Sequence, residues 1–123
     1  MTRILVLTNM YPPHHLGGYE LSCWDVMQRL RARGHEVTVL TTRMRVPGVV
    51  DPSEPAEGVR RDLFFYWDDH RIVKPALRDR VRLERENQAA LRSALEASRP
   101  EVVSAWNMGA MSLGLLTTIV ESR

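Results

Sequence analysis

The sequence is poor in cysteine and nearly empty of lysine. Cys23 is the only cysteine among 123 residues, so no internal disulfide can form, and no CxxC or Cys/His cluster offers a zinc site. That usage fits a reducing cytoplasm. Lys74 is the only lysine, and the 17 basic residues stand against 15 acidic ones, for a formal charge of +2. The arginines alternate with glutamate and aspartate instead of forming a basic stripe, which argues against a nucleic-acid partner. No apolar run reaches the length of a membrane span, and Met1-Thr2-Arg3 followed by Ile4-Leu5-Val6-Leu7 is too short for a signal peptide. Peripheral contact with a membrane surface stays compatible with this composition. Two nucleotide signatures are missing as well. There is no GxGxxG, no acidic residue at Thr41-Thr42 to hold a ribose, and no GK[ST], which disfavours a dinucleotide or P-loop activity.

What is present is the balance of a globular domain: 44% hydrophobic and 26% charged residues, enough for one layered core. Ile4 to Thr8 is apolar on both faces, as a central parallel strand covered by helices requires. Leu21, Trp24, Val26, Met27 and Leu30 recur at helical spacing and predict a helix closed by basic residues and Gly34. Glu36 to Thr41 is short and β-branched, so strand, helix and strand succeed one another as in a right-handed βαβ unit. Arg43 to Gly58 carries Pro47, Gly48, Pro52, Pro55 and Gly58 and predicts a surface loop. A third strand is expected over Val59 to Tyr66 and an exposed turn over Trp67-Asp68-Asp69-His70. Pro75 is expected to open a long helix reaching Ser98, with Leu77, Val81, Gln88, Leu91 and Leu95 as its inner stripe. Pro100 stops it. Glu101 to Trp106 reads as a fourth strand, Asn107-Met108-Gly109 as a turn, and Ser112 as the cap of a last helix facing inward through Leu115, Leu116 and Ile119. The fold class is α/β: a Rossmann-like three-layer α/β/α arrangement around a mostly parallel sheet.

In this order of elements the fourth strand keeps one side unpaired. The expectation is an excerpt of a longer protein that self-associates on its own, for which light scattering at high concentration is the check.

In an open parallel sheet, ligands bind beyond the carboxyl ends of the strands, where helix N-termini present free N–H groups and the positive end of the dipole. Asn9 to Glu20 occupies that position, and its twelve residues exceed the ~2 to 6 of an ordinary strand-to-helix connection. Pro12 and Pro13 stiffen the loop. Gly17 and Gly18 permit positive φ and leave the backbone bare for an oxyanion such as a phosphate.

The string from Met1 to Thr41, with its strand, Tyr-Pro-Pro, Gly-Gly-x-Glu, helix and Arg-Gly-His-Glu-Val-Thr-Val-Leu, resembles the opening of retaining glycosyltransferases of the family 4 type. Arg99-Pro100-Glu101-Val102-Val103-Ser104-Ala105-Trp106-Asn107-Met108-Gly109 resembles the R-P-D-V-V-x-x-W-N-x-G segment of the same family. The resemblance implies a GT-B enzyme with two Rossmann-like domains across a cleft. Acceptor would lie mainly on the N-terminal side and nucleotide sugar on the C-terminal side, with no metal and no bound cofactor. These residues would form the front part of the acceptor-side domain and would be inactive alone. Gly17 and Gly18 would then hold the donor diphosphate through their amides, with paired glutamates of the donor domain lying beyond Arg123.

Four further residues are acceptor-side candidates. His14 and His15 share the glycine loop, although adjacent histidines do not easily face one site and lack the further ligands of a metal centre. Trp106 and Asn107 end the fourth strand on the same sheet edge, Trp106 to stack on a sugar and Asn107 to bond a hydroxyl, where relatives carry a histidine. Glu20, in the first helical turn, complements the dipole and orients the loop. The alternative from another class is a non-catalytic module that keeps the scaffold for docking.

Overall fold

The computed structural model describes residues 1–50 and 58–122. The elements are β1 (Arg3–Leu7), α1 (Gly18–Ala32), β2 (Glu36–Thr42), β3 (Val59–Leu63), β4 (Trp67–Asp68), β5 (Arg71–Ile72), α2 (Leu77–Ser98), β6 (Val102–Ala105) and α3 (Gly114–Glu121). Four strands form one sheet in the order β3-β2-β1-β6, all parallel, with Ile4 beside Val37 on one flank and Val102 on the other. The Rossmann-like expectation is met. Among the described residues no helix is long and apolar enough to cross a membrane.

The apolar run of β1 divides by the two-residue period of a strand. Leu5 and Leu7, with Leu40 and Leu63, turn toward Leu91 and Ala94 of α2 and Leu115 of α3. Val6, with Val37 and Val39, turns the other way, toward Cys23 and Met27 of α1. Leu5, Val6 and Leu7 are all fully buried, so β1 can only be an interior strand.

Both long helices bury part of the apolar residues that the spacing singles out, Met27 and Leu30 in α1 and Leu91 and Leu95 in α2, but turn others outward. In α1 the inner residues are Glu20, Cys23 and Met27, whereas Leu21, Trp24 and Val26 are exposed. Each stripe fits a helical period; the inward one contains a carboxylate and a thiol. In α2 the buried positions are Leu83, Asn87, Leu91 and Ala94, while Leu77 is 78% exposed and Val81 42%. Asn87 is inside because its Oδ1 accepts the Phe64 N–H at 2.8 Å, where the chain leaves β3. The helix starts at Leu77, two residues after Pro75, and ends at Arg99, whose φ of 42° and N–H bond to the Leu95 carbonyl close the last turn before Pro100.

The third strand is shorter than expected, ending at Leu63. The next residues lead into a two-stranded hairpin in which Trp67 pairs with Ile72 and Asp68 with Arg71. Asp69 and His70 both have positive φ, as a two-residue hairpin turn matched to strand twist requires. Pro52 and Pro55 of the expected loop lie outside the described residues. Ser112 does not cap α3, whose cap position is Leu113. The Ser112 hydroxyl donates instead to the Glu84 carboxylate, which also accepts the Tyr66 hydroxyl at 2.8 Å. One side chain of α2 thereby ties the hairpin segment to the start of α3. Burial, with Glu84 beside it, pushes the Tyr66 phenol up to about 12.

The inner face of α2 is testable. Leu91→Ala should cost about 2–5 kcal/mol in urea unfolding, as deletion of a fully buried leucine does, while Leu77→Ala should stay within about 0.5 kcal/mol. Equal losses would mean that α2 turns a different face to the sheet.

Candidate functional site

The chain passes from β1 outward through β2 to β3, then returns to place β6 on the opposite side of β1. Connections leaving β1 and β6 at their carboxyl ends go to opposite faces of the sheet, which opens a crevice between them. Residues 8–17 form one wall, residues 106–113 the other, and the start of α1 overlooks both.

Asn9 holds these walls together. Its N–H donates to the Asn107 carbonyl at 2.9 Å, and its Nδ2 donates to the Gly109 carbonyl at 3.0 Å. Its own carbonyl accepts the Thr42 hydroxyl at 2.6 Å. The ends of three parallel strands thus meet at one residue that is 5% exposed. On the sequence Asn9 reads only as the stop of a strand, so nothing short of the cross-chain bonds marks it.

Beyond it, Tyr11-Pro12-Pro13-His14 makes a turn with a cis Pro12-Pro13 peptide, closed by the His14 N–H on the Tyr11 carbonyl. Arg61 of β3 donates to the carbonyls of Tyr11 and Pro12 at 3.1 and 3.0 Å, a two-pronged grip that sequence order does not disclose. His14 is 2% exposed; its Nδ1 accepts the Val46 N–H at 3.0 Å, and Arg45 lies 3.3 Å from its Nε2. The ring therefore anchors the segment after β2 and does not face the crevice. His15 is partly exposed, with Nδ1 3.2 Å from the Gly17 carbonyl.

The glycine pair works differently from the expectation. Gly17 is extended, with φ −137° and ψ 177°, and Gly18 is the first residue of α1, so neither uses positive φ. What counts is the missing Cβ. One at Gly17 would stand 3.2 Å from Glu20 Oε2, whereas one at Gly18 would meet nothing within 4 Å. The helix has no side-chain cap, so its first-turn N–H groups are left to solvent or a ligand on the open side of Gly18.

Glu20 sits on the inner side of that turn, 5% exposed, with Oε2 enclosed and without a hydrogen bond. Its carboxylate lies near Cys23. Burial first, and the Glu20 charge second, push the Cys23 thiol up to about 11. Burial likewise raises the Tyr11 phenol, against the opposing charge of Arg31.

Across the crevice, Tyr19 donates its hydroxyl to the Trp106 carbonyl at 3.0 Å and meets the Trp106 ring edge-on at 5.8 Å. Trp106 is half-buried, and its Nε1 is enclosed without a partner. Asn107 Oδ1 accepts the Gly109 N–H at 3.0 Å, shaping the turn in which Asn107 sits. The structure therefore brings the start of α1 against Trp106 through Tyr19 and the end of β1 against Asn107 through Asn9, sets Gly17, Gly18 and Glu20 at that same helix start, and turns the His14 ring to the Val46 N–H. Asn9 and Tyr19 join the group unforeseen.

The profile described as Glycosyltransferase Family 4 matches residues 16–120, from the glycine pair through α3. Comparison with curated proteins gives no match, and comparison with solved structures gives none.

The state of Cys23 gives a direct check on the packing of Glu20. Its folded value of about 11 exceeds the unfolded one of about 8.5, so the stabilisation it carries is complete below pH 8.5 and is lost as pH rises toward 11. Iodoacetamide should accordingly label the native protein slowly at neutral pH, much faster near pH 11, and at the ordinary thiol rate in urea. Rapid labelling of the native chain at neutral pH would contradict a thiol sealed beside Glu20.

Proposed function

The chain belongs to glycosyltransferase family 4, and from that premise we propose that it supplies the acceptor-side wall of a retaining, metal-independent hexosyltransferase that uses a nucleotide sugar. The observation that carries the reading is the uncapped first turn of α1, opening at the crevice between β1 and β6 with Gly18 bare on its outer side. Backbone N–H groups fixed there cost no reorganisation when charge develops on a departing diphosphate. They stabilise the transition state more than the ground state, the condition for raising turnover. Glu20 on the inner side positions Gly17, and Trp106 and Asn107 face the acceptor. The reaction in this reading is transfer of a hexosyl group from the nucleotide diphosphate to an acceptor hydroxyl, in the cytoplasm or at a membrane surface, with a second domain supplying the nucleotide pocket.

Gly18 is a cleaner probe than Gly17, because a side chain at Gly17 runs into Glu20 while one at Gly18 enters open space. In the full-length enzyme, Gly18→Val should therefore keep the fold, by unchanged urea unfolding, and lower turnover by about 10²-fold through blocked approach of the diphosphate to the amides. A donor screen with nucleotide release as readout supplies the assay. Turnover equal to the parent would remove the diphosphate from this helix end.

A further inference from the structure

Residues 10–16 carry the chain from the end of β1 toward the helix that begins at Gly18, and none of them lies in a helix or in the four-stranded sheet. The place of the Gly17 and Gly18 amides is therefore set by whatever tethers this stretch. Asn9 fastens its start to Asn107 and Gly109, and the His14 ring fastens its middle to Val46. Between those points the tether is a guanidinium. Arg61 donates from Nη1 to the Tyr11 carbonyl at 3.1 Å and from Nη2 to the Pro12 carbonyl at 3.0 Å. Two N–H groups of a planar fork on two consecutive carbonyls fix direction as well as distance.

The strand that carries Arg61 is shaped for this reach. Thr41 pairs with Arg61 but Thr42 pairs with Leu63, so Asp62 is an extra residue in β3, a bulge. In a regular strand, residues 61 and 63 point to the same face. Here Leu63 is fully buried with Leu40 in the core beneath α2, and Arg60 reaches Ser93 of α2 at 3.1 Å, whereas Arg61 emerges on the α1 side beside Tyr11. Without the bulge, either the leucine would leave the core or the arginine would leave the loop. Bulges recur next to functional sites because they re-aim a side chain in this way.

We infer that Arg61 is a positioning residue of the glycine loop: its fork holds the Tyr11 and Pro12 carbonyls to β3 and thereby sets where the Gly17 and Gly18 amides stand. The inference rests on the glycosyltransferase reading for what those amides do, and it assigns their placement to a strand two places from β1 in the sheet. In this role the guanidinium acts through the loop, and its fork counts for more than its charge. Lysine keeps the charge but is a point donor on a flexible stem, unable to address both carbonyls in fixed directions.

The test compares Arg61→Lys and Arg61→Ala, in the 123-residue chain and in the full-length enzyme. In the chain, the Gly17 and Gly18 amide signals of a proton–nitrogen correlation spectrum should move in both variants while those of Gly34 and Gly114 stay, and Arg61→Lys should keep the parent's urea midpoint. In the enzyme, kcat should fall about tenfold in both variants with KM for the nucleotide sugar unchanged, because misplaced amides weaken the hold on the departing diphosphate and leave the ground state alone. Full turnover in Arg61→Lys beside a loss in Arg61→Ala overturns the proposal in favour of charge alone. Gly17 and Gly18 signals that stay in place overturn it too, as do changes spread over the whole chain with a lowered urea midpoint, which make Arg61 an ordinary structural residue. Loop signals that move without a fall in kcat overturn it where Gly18→Val lowers turnover. Where Gly18→Val also leaves turnover intact, the donor reading fails and the hold of Arg61 on the loop stands.

Discussion

A strand that is buried on both faces needs helices above and below it, and β1 imposes that condition on everything else in the chain. Leu5, Val6 and Leu7 have no exposed surface, and each fully buried aliphatic side chain is worth roughly 1.5–3 kcal/mol. Their alternation sends Val6 toward α1 and the two leucines toward α2 and α3. Covering both faces with right-handed crossovers forces the chain to lay β2 and β3 on one side of β1 and β6 on the other. The crevice follows from that reversal. Family membership did not have to place it there; the burial of one apolar run does so.

The same sequence that announces the strand order conceals which face each helix buries. For α1, Leu21 and Trp24 are three residues apart and Cys23, Met27 and Leu30 follow steps of four and three, so periodicity accepts either stripe. Hydrophobicity favours the stripe with leucine and tryptophan. The fold keeps Met27 and Leu30 inside and turns Leu21, Trp24 and Val26 out, with Glu20 packed beside Gly17 and Cys23, where the glycine leaves room. In α2 the decision falls to Asn87, a polar residue drawn inside by the Phe64 N–H, which is orphaned where β3 stops. Polar side chains that satisfy a distant backbone group cannot be recognised before that group's position is known. The endings of the elements are legible for the opposite reason: Gly34, Pro100 and the Asp69-His70 turn act on their immediate neighbours.

At the site, the glycine loop is legible as a place but not as a device. Its length and its position after a strand are enough to locate the crevice. The conformational freedom that makes glycine useful in a turn is not used at Gly17 or Gly18, since both adopt backbone angles open to any residue. Space is what they provide, inward for the Glu20 carboxylate and outward for whatever approaches the amides. Asn9 stays invisible in the sequence because all of its work is done across gaps of 33, 98 and 100 residues, to Thr42, Asn107 and Gly109. His14 has the look of a site residue because histidine usually has; its ring fastens Val46 instead.

The placement of Glu20 bears on which side of the α1 first turn could receive an anion. A carboxylate in the first turn already complements the helix dipole, so the field offered to a second anion is weaker than that of a bare helix. Two anions at one helix end would also repel each other. The geometry separates them by side: Oε2 points inward beneath Gly17, and the open face lies at Gly18. Charge on the outer face therefore meets backbone N–H groups before it meets Glu20. A diphosphate spreads its charge over several oxygens and gains from directional N–H bonds even where the dipole is partly spent. A compact anion inside, touching Glu20 directly, would have repulsion and no such compensation. The buried carboxylate thereby favours a neutral group over an anion on the inner side of that turn.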